Sequence, residues 1–591
     1  MKKTNKRGFT IVELVIVIAV IAILAAVLIP NISRLVKKAN ESSDITLTKN
    51  MNTLLAMDEA ENGKATDMYD VLIALENGGF KLDKLNPRAT GNVFAWDKEN
   101  NQMVYLSKTG NVLFQSKDFT NKGSLFITTR DADTFKTFEG YSYYLVQDLS
   151  TDVTLKEGSS LDTGEYKLTG NVACQTTGDV EIRGTIQGTL TVNSTQGKIV
   201  NYSVVENVVI ENTASTSYHE KGQVKSFTID NTLTGKVVFE QEAYVETLTQ
   251  KNTNTSSSVV NNGYIKTVTA PATDVKNPIS KTEAKDYALV IKTFEDLANF
   301  RDKVNAGATY AGMTVKLEAD IDISGRAWTP IGAAFRDNLS VDSKVFQGTF
   351  DGGNHTISGL TNTGFRISST YCNSNSTTPQ GYKEYVFGLF GSVYNAEITN
   401  LKMSNVNIDL VCDDKDKVLG DSVGAVVGFV GGTDSKVTSC SVLSGKISGF
   451  DATAGVIGRI YADKAEVSGC TNAATVTSAR RAAGIIGFVS NNEITVSNCE
   501  NKGSITCLNN EVALGIQKDL DGDKDRNENV SYHHAAGIAH LPSNQIIKNG
   551  SGNSNSGAVK NESKIAGACA AQIFVWGGKA NSDGKVPTSS K

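Results

Sequence analysis

Histidine, proline and paired cysteine are scarce in this 591-residue chain. The five histidines are His219, His355, His533, His534 and His540. No H-E-x-x-H or Walker pattern occurs, which removes the usual zinc-protease and nucleotide-binding signatures. His533 and His534 beside His540 are the histidine grouping a metal would use, whereas His355 falls in a turn and reads as structural. None of the eight cysteines forms C-x-x-C, which excludes zinc-ribbon and thioredoxin-type sites, and their density is too low for a disulfide scaffold. The formal charge of −5 provides no basic field, so no nucleic-acid partner is expected. Eight prolines stand against 53 glycines, and Asn, Ser and Thr crowd the chain after Thr120. That balance suits a turn-rich, mainly β protein better than a helical enzyme. Apolar residues make up 40%, too many for a disordered chain, and the length calls for two to four domains.

What is present begins at the N-terminus, MKKTNKRGFTIVELVIVIAVIAILAAVLIP. Lys2, Lys3, Lys6 and Arg7 precede Gly8, and the apolar run starts at Phe9. Phe9 to Ile29 is 21 residues, about 31 Å as a helix, which matches a hydrocarbon core of roughly 30 Å. A secretory signal peptide or a plain signal anchor shares this outline, but neither accounts for Glu13. A carboxylate inside a spanning helix costs a few kcal/mol and needs a partner. Cleavage between Gly8 and Phe9 creates one: a new α-amine, with a reference pKa near 8, that pairs with Glu13 of a neighbouring subunit.

At Gly8, Phe9, Thr10, Glu13 and the following helix, with Pro30 beyond it, the segment resembles the class III leader of type IV prepilins and secretion pseudopilins. The resemblance implies cleavage after Gly8 by a membrane-embedded prepilin peptidase and N-methylation of Phe9. It also implies storage in the membrane before assembly with other pilin subunits. Pro30 is expected to loosen or kink the helix, because it lacks a backbone donor and clashes one turn back. Lys and Arg flank the span four against three, so orientation rests on the resemblance.

Residues 9–62 read as one transmembrane and amphipathic helix, with Leu47, Met51, Leu54 and Leu55 on one face. Residues 63–118 read as a small pilin-like α+β head: a helix from Thr66 stopped by Gly78-Gly79, then a hairpin of Val93–Trp96 and Met103–Leu106. This stretch resembles small-headed Gram-positive pilins. Residues 119–280 carry β-branched runs about ten residues apart, suggesting stacked strands or a sandwich, with a short β-solenoid favoured. Lys251–Gly263 reads there as a linker or exposed loop.

The segment 281–576 is repetitive. FGLFG, GAVVG, GVIGR, GIIGF and GIAHL recur; Gly428, Gly458 and Gly487 are 30 and 29 residues apart, and Cys440, Cys470 and Cys499 keep those intervals. Leu401 stands one unit earlier in the cysteine position. Periods of this length indicate stacked coils, each unable to bury its apolar face alone. The cysteines read as buried small hydrophobes, the glycines as corner residues, and Thr293 with Asp296 as the capping box of a helix covering the first coil. With Trp328, Pro330, Gly332, Asp351, Gly352, Gly353 and His355, the region resembles the Gly-Leu-x-Gly (GLUG) β-helical modules of bacterial surface proteins. That resemblance implies exposed binding rather than catalysis. Asp519, Asp521, Asp523 and Asp525 alternate in an inserted loop as candidate Ca²⁺ ligands, although Lys524 and Val530 break the EF-hand order. Residues 577–591 read as a flexible tail.

The expected architecture is mainly β with a long N-terminal α-helix: a small pilin-like head followed by a right-handed parallel β-solenoid. The expected function is a non-enzymatic pilin-like subunit, minor or tip, displaying a binding domain for a glycan or surface protein. Two alternatives share these features: a membrane-anchored adhesin that never polymerises, and a carbohydrate-active β-helix enzyme on a pilin anchor.

Overall fold

The computed structural model describes residues 11–65, 67–81, 85–119, 121–129, 132–194, 196–213, 218–269, 275–276, 278–326, 328–332, 335–337, 344–362, 383–410, 420–489, 493–508, 534–541, 547–549, 551–562, 569–571, 574–576 and 579–581. The chain forms two compact units, Met1–Thr185 and Ile186–Lys591. It is mainly β, with parallel multi-strand sheets compatible with a β-solenoid.

The first unit opens with helix α1 (Ile11–Asn62), which continues through Pro30 without a break in its helical backbone. Gly63, at φ +87°, ends it, a left-handed conformation that glycine reaches at no steric cost. Among the described residues no helix is long and apolar enough to cross a membrane; the apolar run of the sequence starts at Phe9, outside them. Helix α2 (Met68–Asn77) is capped by Asp67, whose side chain accepts from the Asp70 amide. Strands β1 (Val93–Asp97) and β2 (Gln102–Leu106) form the expected antiparallel hairpin. Every residue of both is buried. One face, Phe94, Trp96, Met103 and Tyr105, packs against Met51 and Leu55 of α1 and Val71 and Leu75 of α2. The other, Ala95, Val104 and Leu106, packs on Leu125, Ile127 and Phe138. Leu125–Thr129 pairs antiparallel with β1 and parallel with Ser142–Leu145. The hairpin sheet of the head therefore continues directly into parallel pairing.

In the second unit two parallel ladders run side by side. One joins Val204–Asn212, Gln223–Ile229, Tyr244–Gln250 and Tyr264–Thr269. The other joins Ile199–Asn201, Tyr218–Glu220, Lys236–Phe239 and Ser258–Asn261. The linker or loop read at Lys251–Gly263 is corrected in part: Ser258–Asn261 is a ladder strand. Asn252 is buried there, its amide donating to Ser257 Oγ at 2.7 Å. A polar composition hid this segment, because its buried groups are satisfied by one another rather than by apolar contact.

From Ala288 onward the described residues form five further sheets. One column shows the logic. Leu289, Val315, Phe350, Ile398, Val437, Val467 and Val496 occupy the same register position in successive strands and are all buried. In these strands the residues next to them, such as Val290, Lys316, Glu397 and Lys436, face outward, as the period-two pleat requires. Val437, Val467 and Val496 advance by the same 30 and 29 residues as the glycines, so the sequence period is the layer repeat.

The repeat glycines act differently from the corner role read in the sequence. Among the non-left-handed ones, a Cβ on Gly458 would stand 2.4 Å from the Val423 amide, and one on Gly428 2.8 Å from that of Phe387. They are needed where backbones of adjacent layers approach closely, not for turning. The cysteine column behaves as expected: Cys440, Cys470 and Cys499 are buried, with sulfur-to-carbonyl contacts such as Cys470 to Val437 O at 3.4 Å.

Helix α3 (Ala132–Thr137) belongs to the first unit, and helix α4 (Phe294–Asn305) to the second, where it carries the full Thr293/Asp296 capping box. Phe300 of α4 lies against the rings of Tyr310, Phe346, Phe350 and Phe390. Its Lys303 is buried and donates to the carbonyl oxygen of Glu242. The helix thus fills the space between the Ile199–Thr269 ladders and the sheets that start at Ala288.

Candidate functional site

Gly8 and Phe9 lie outside the described residues. Glu13 and Pro30 fall within the helical backbone of α1. The N-terminal half of this helix leaves its apolar side chains uncovered: Ile11 is 81% exposed and Leu35 66%, with Val15, Ile18, Leu24 and Ile29 also exposed. Such a surface is stable only against lipid or other helices.

The other half is held by polar contacts. Asp44 is fully buried and accepts from the amides of Arg88 (2.9 Å) and Ala89 (3.0 Å) and the hydroxyl of Tyr105 (2.9 Å). Asn52 pairs with both backbone groups of Met103, and Asn101 donates to Glu59 at 2.8 Å. Asp44, Thr48, Met51 and Leu55 form the buried face. Leu47 and Leu54 sit only partly within it. The apolar periodicity of the sequence picks out the apolar residues but not Asp44 and Thr48, whose i, i+4 spacing in phase with Met51 and Leu55 is the signal for them. Helix α1 is therefore an arm fixed to the head at one end and apolar at the other.

In the second unit the candidate calcium ligands Asp519, Asp521, Asp523 and Asp525 lie outside the described residues, as does His533. The structure does bring His534 and His540 together, as stacked rings with centroids 4.9 Å apart. Their surroundings are cationic. Asp451, buried, contacts Arg459 (2.9 Å), Arg481 (3.3 Å) and Arg480 (3.5 Å), and the Phe488 ring lies under Arg459 and Arg481 and beside His540. Burial, then the neighbouring Arg481, pushes His540 well below the usual imidazole range. The pair is packed among arginines, and among the described residues no group of three metal-type side chains converges.

The residues of the second resemblance are structural where described. Asp351 accepts from the Gly353 amide and the Asn400 side chain, each at 3.0 Å, and His355 lies 3.3 Å from Asp320. Trp328 donates to the Leu389 carbonyl oxygen at 3.1 Å beneath Arg301. An asparagine column went unread: Asn472 donates to Asn501 (2.8 Å) and Asn501 to Asn555 (2.6 Å). The recurring C-x-N of Cys470–Asn472 and Cys499–Asn501 was its trace. On the outer surface a shallow groove of about 250 Å³ is lined by Gln347, Thr349, Asn395, Glu397, Asp434 and Lys436.

Residues 3–29 match the prokaryotic N-terminal methylation motif. The chain is similar to the type IV wide pilus major component PilA4 of Thermus thermophilus, 42% identical over 71 residues, which is 12% of this chain and 54% of that protein. It thus spans about half the length of the curated relative it matches. No solved structure matches it. The N-terminal region is type IV pilin-like, and its first residues form a prepilin leader.

Proposed function

We propose that this chain is a cell-surface, type IV pilin-like subunit at a minor or tip position, displaying its β ladders as a binding domain for adhesion. The observation that carries this reading is the methylation motif at residues 3–29 leading into a helix that is apolar and exposed at one end and locked to a folded head at the other. A prepilin peptidase cuts after Gly8, and Phe9 becomes the methylated N-terminus. Residues 9–29 hold the precursor in the membrane as a single span. On assembly, Glu13 meets the Phe9 amine of a neighbour, which removes the cost of a lone carboxylate in an apolar medium.

A subunit this large crowds its neighbours if every filament position bears it, which favours sparse or terminal placement. The ladders are right-handed, GLUG-like and non-catalytic in this reading, presenting a surface to glycans or surface proteins. Asp519, Asp521, Asp523 and Asp525 are the residues that would hold Ca²⁺ in this reading.

N-terminal sequencing of the exported protein tests the proposal. It should begin at methylated Phe9, and any other start defeats it. Glu13→Ala should leave the protein in the membrane but remove it from filaments; undiminished incorporation would rule out the assembly role.

A further inference from the structure

The groove noted above sits at a corner of the second unit. Strand Phe390–Tyr394 gives way there to Glu397–Thr399, and one layer on, Val427–Gly432 gives way to Ser435–Thr438. Its walls are fixed by the fold. The side-chain oxygen of Asn395 accepts from the amides of Thr433 (2.6 Å) and Asp434 (3.3 Å), tying one layer's corner to the next. Gly348 cannot carry a side chain, since a Cβ would stand 2.6 Å from the Tyr310 carbonyl oxygen. This keeps the floor low. Glu397 and Lys436 are register partners on the outward face, so acceptor and donor groups alternate about one strand spacing apart, roughly 4.8 Å.

Beside the groove, Tyr394, Gly431 and Tyr461 share one register column. The Tyr394 ring lies across Gly431, where a Cβ would come within 2.6 Å of it, and Tyr461 is 42% exposed. A polar corner with a preset backbone thus adjoins two aromatic rings on the layers either side of the one that carries Gly431.

We infer that this corner is a subsite for a neutral, hydroxyl-rich glycan chain, with one sugar ring seated among Gln347, Glu397 and Lys436 and the next resting on Tyr394 and Tyr461. Hydroxyl ligands need donors and acceptors mixed at short spacing, while the C–H face of a sugar needs a flat, rigid apolar surface, which tyrosine supplies together with a polar tip. The groove is smaller than the roughly 300–1,000 Å³ of whole-ligand pockets, which fits a subsite for part of a longer chain. Glu397 and Asp434 outnumber Lys436, so a sulfated or uronic-acid chain is repelled. The inference rests on the reading of the chain as a displayed binding subunit and names that surface's ligand class.

The test uses the full chain in detergent, run by affinity electrophoresis through gels containing mannan, xylan, dextran or galactan, with alginate as the anionic comparison. Wild type should be retarded by at least one neutral polysaccharide and not by alginate. Tyr461→Ala, and separately Glu397→Ala with Lys436→Ala, should weaken that retardation at least tenfold while leaving the circular dichroism spectrum unchanged. No retardation of folded wild type by the four neutral gels, retention of binding in both variants, or a preference for alginate would overturn the inference. Immunogold labelling of filaments is scored separately. Absence of the chain there sinks the display reading and leaves the gels to decide the subsite; labelled filaments without retardation sink the subsite alone.

Discussion

The carboxylate of Asp44, in the C-terminal half of α1, accepts the phenolic hydrogen of Tyr105 at 2.9 Å, across 61 residues of chain. Burial, with a further contribution from Asp44, raises the Tyr105 phenol above its usual range. The two side chains join the arm to the centre of the head sheet. Asp44→Ala leaves that hydroxyl and the amides of Arg88 and Ala89 without their acceptor, and buried groups so abandoned cost about 1–3 kcal/mol each. The head should lose about 3 kcal/mol in urea unfolding followed by Trp fluorescence, and a loss under 1 kcal/mol would contradict the assigned geometry.

The cluster around Asp451 predicts an acid-sensitive second unit. Burial alone would raise this carboxyl, but Arg480, Arg481 and Arg459 outweigh it and hold it well below the usual carboxylate range. A depressed folded pKa gives stability that is present above the unfolded value, near 4, and lost as pH falls below it. Asp451→Asn should cost about 3–5 kcal/mol at neutral pH, since it leaves buried guanidinium groups uncompensated. The variant should also flatten the stability profile below pH 4, as read by guanidinium midpoints.

Glu220 acts in the opposite sense. Burial pushes its carboxyl up to about 7, against hydrogen bonds from Tyr218, Asn201 and Gly222. Its stabilisation is therefore complete below the ordinary value of 4.5 and is lost as pH rises through about 7. Burial pushes Lys303 down to about 8, so its penalty is full below that pH and fades as pH rises towards 10.5. Between pH 5 and 7 the wild type should lose on the order of 2–3 kcal/mol. Thermal midpoints across that window should drop less in Glu220→Gln; identical slopes would exclude Glu220 as the source.

Gly458→Ala tests the close approach of layers. The added methyl would meet the Val423 amide at 2.4 Å, and relief of such a contact costs roughly 1–3 kcal/mol or more. Leu443→Ala, at a side chain 48% exposed, should stay within about 0.5 kcal/mol. Similar effects at the two sites would argue against the glycine assignment.

Much of this was legible because it was periodic. The Gly428–Gly458–Gly487 and Cys440–Cys470–Cys499 intervals reproduce the register of the sheets, and the Thr293/Asp296 box marks α4 to the residue. The leader was legible because Glu13 is out of place in an apolar run. What escaped was polar and buried. Asp44 and the asparagine column satisfy their hydrogen bonds with partners distant in sequence, which hydropathy alone does not register. The arginines around Asp451 are also invisible to a linear reading, because they converge only when separate layers stack.

The parallel register has an evolutionary consequence. Each layer hands its open edge to the next through equivalent positions, so a duplicated or deleted unit of about 30 residues would leave the layers on either side with the same partners they had before. The length of the ladders is then adjustable in steps of roughly 4.8 Å, with the pairing inside each remaining layer unchanged.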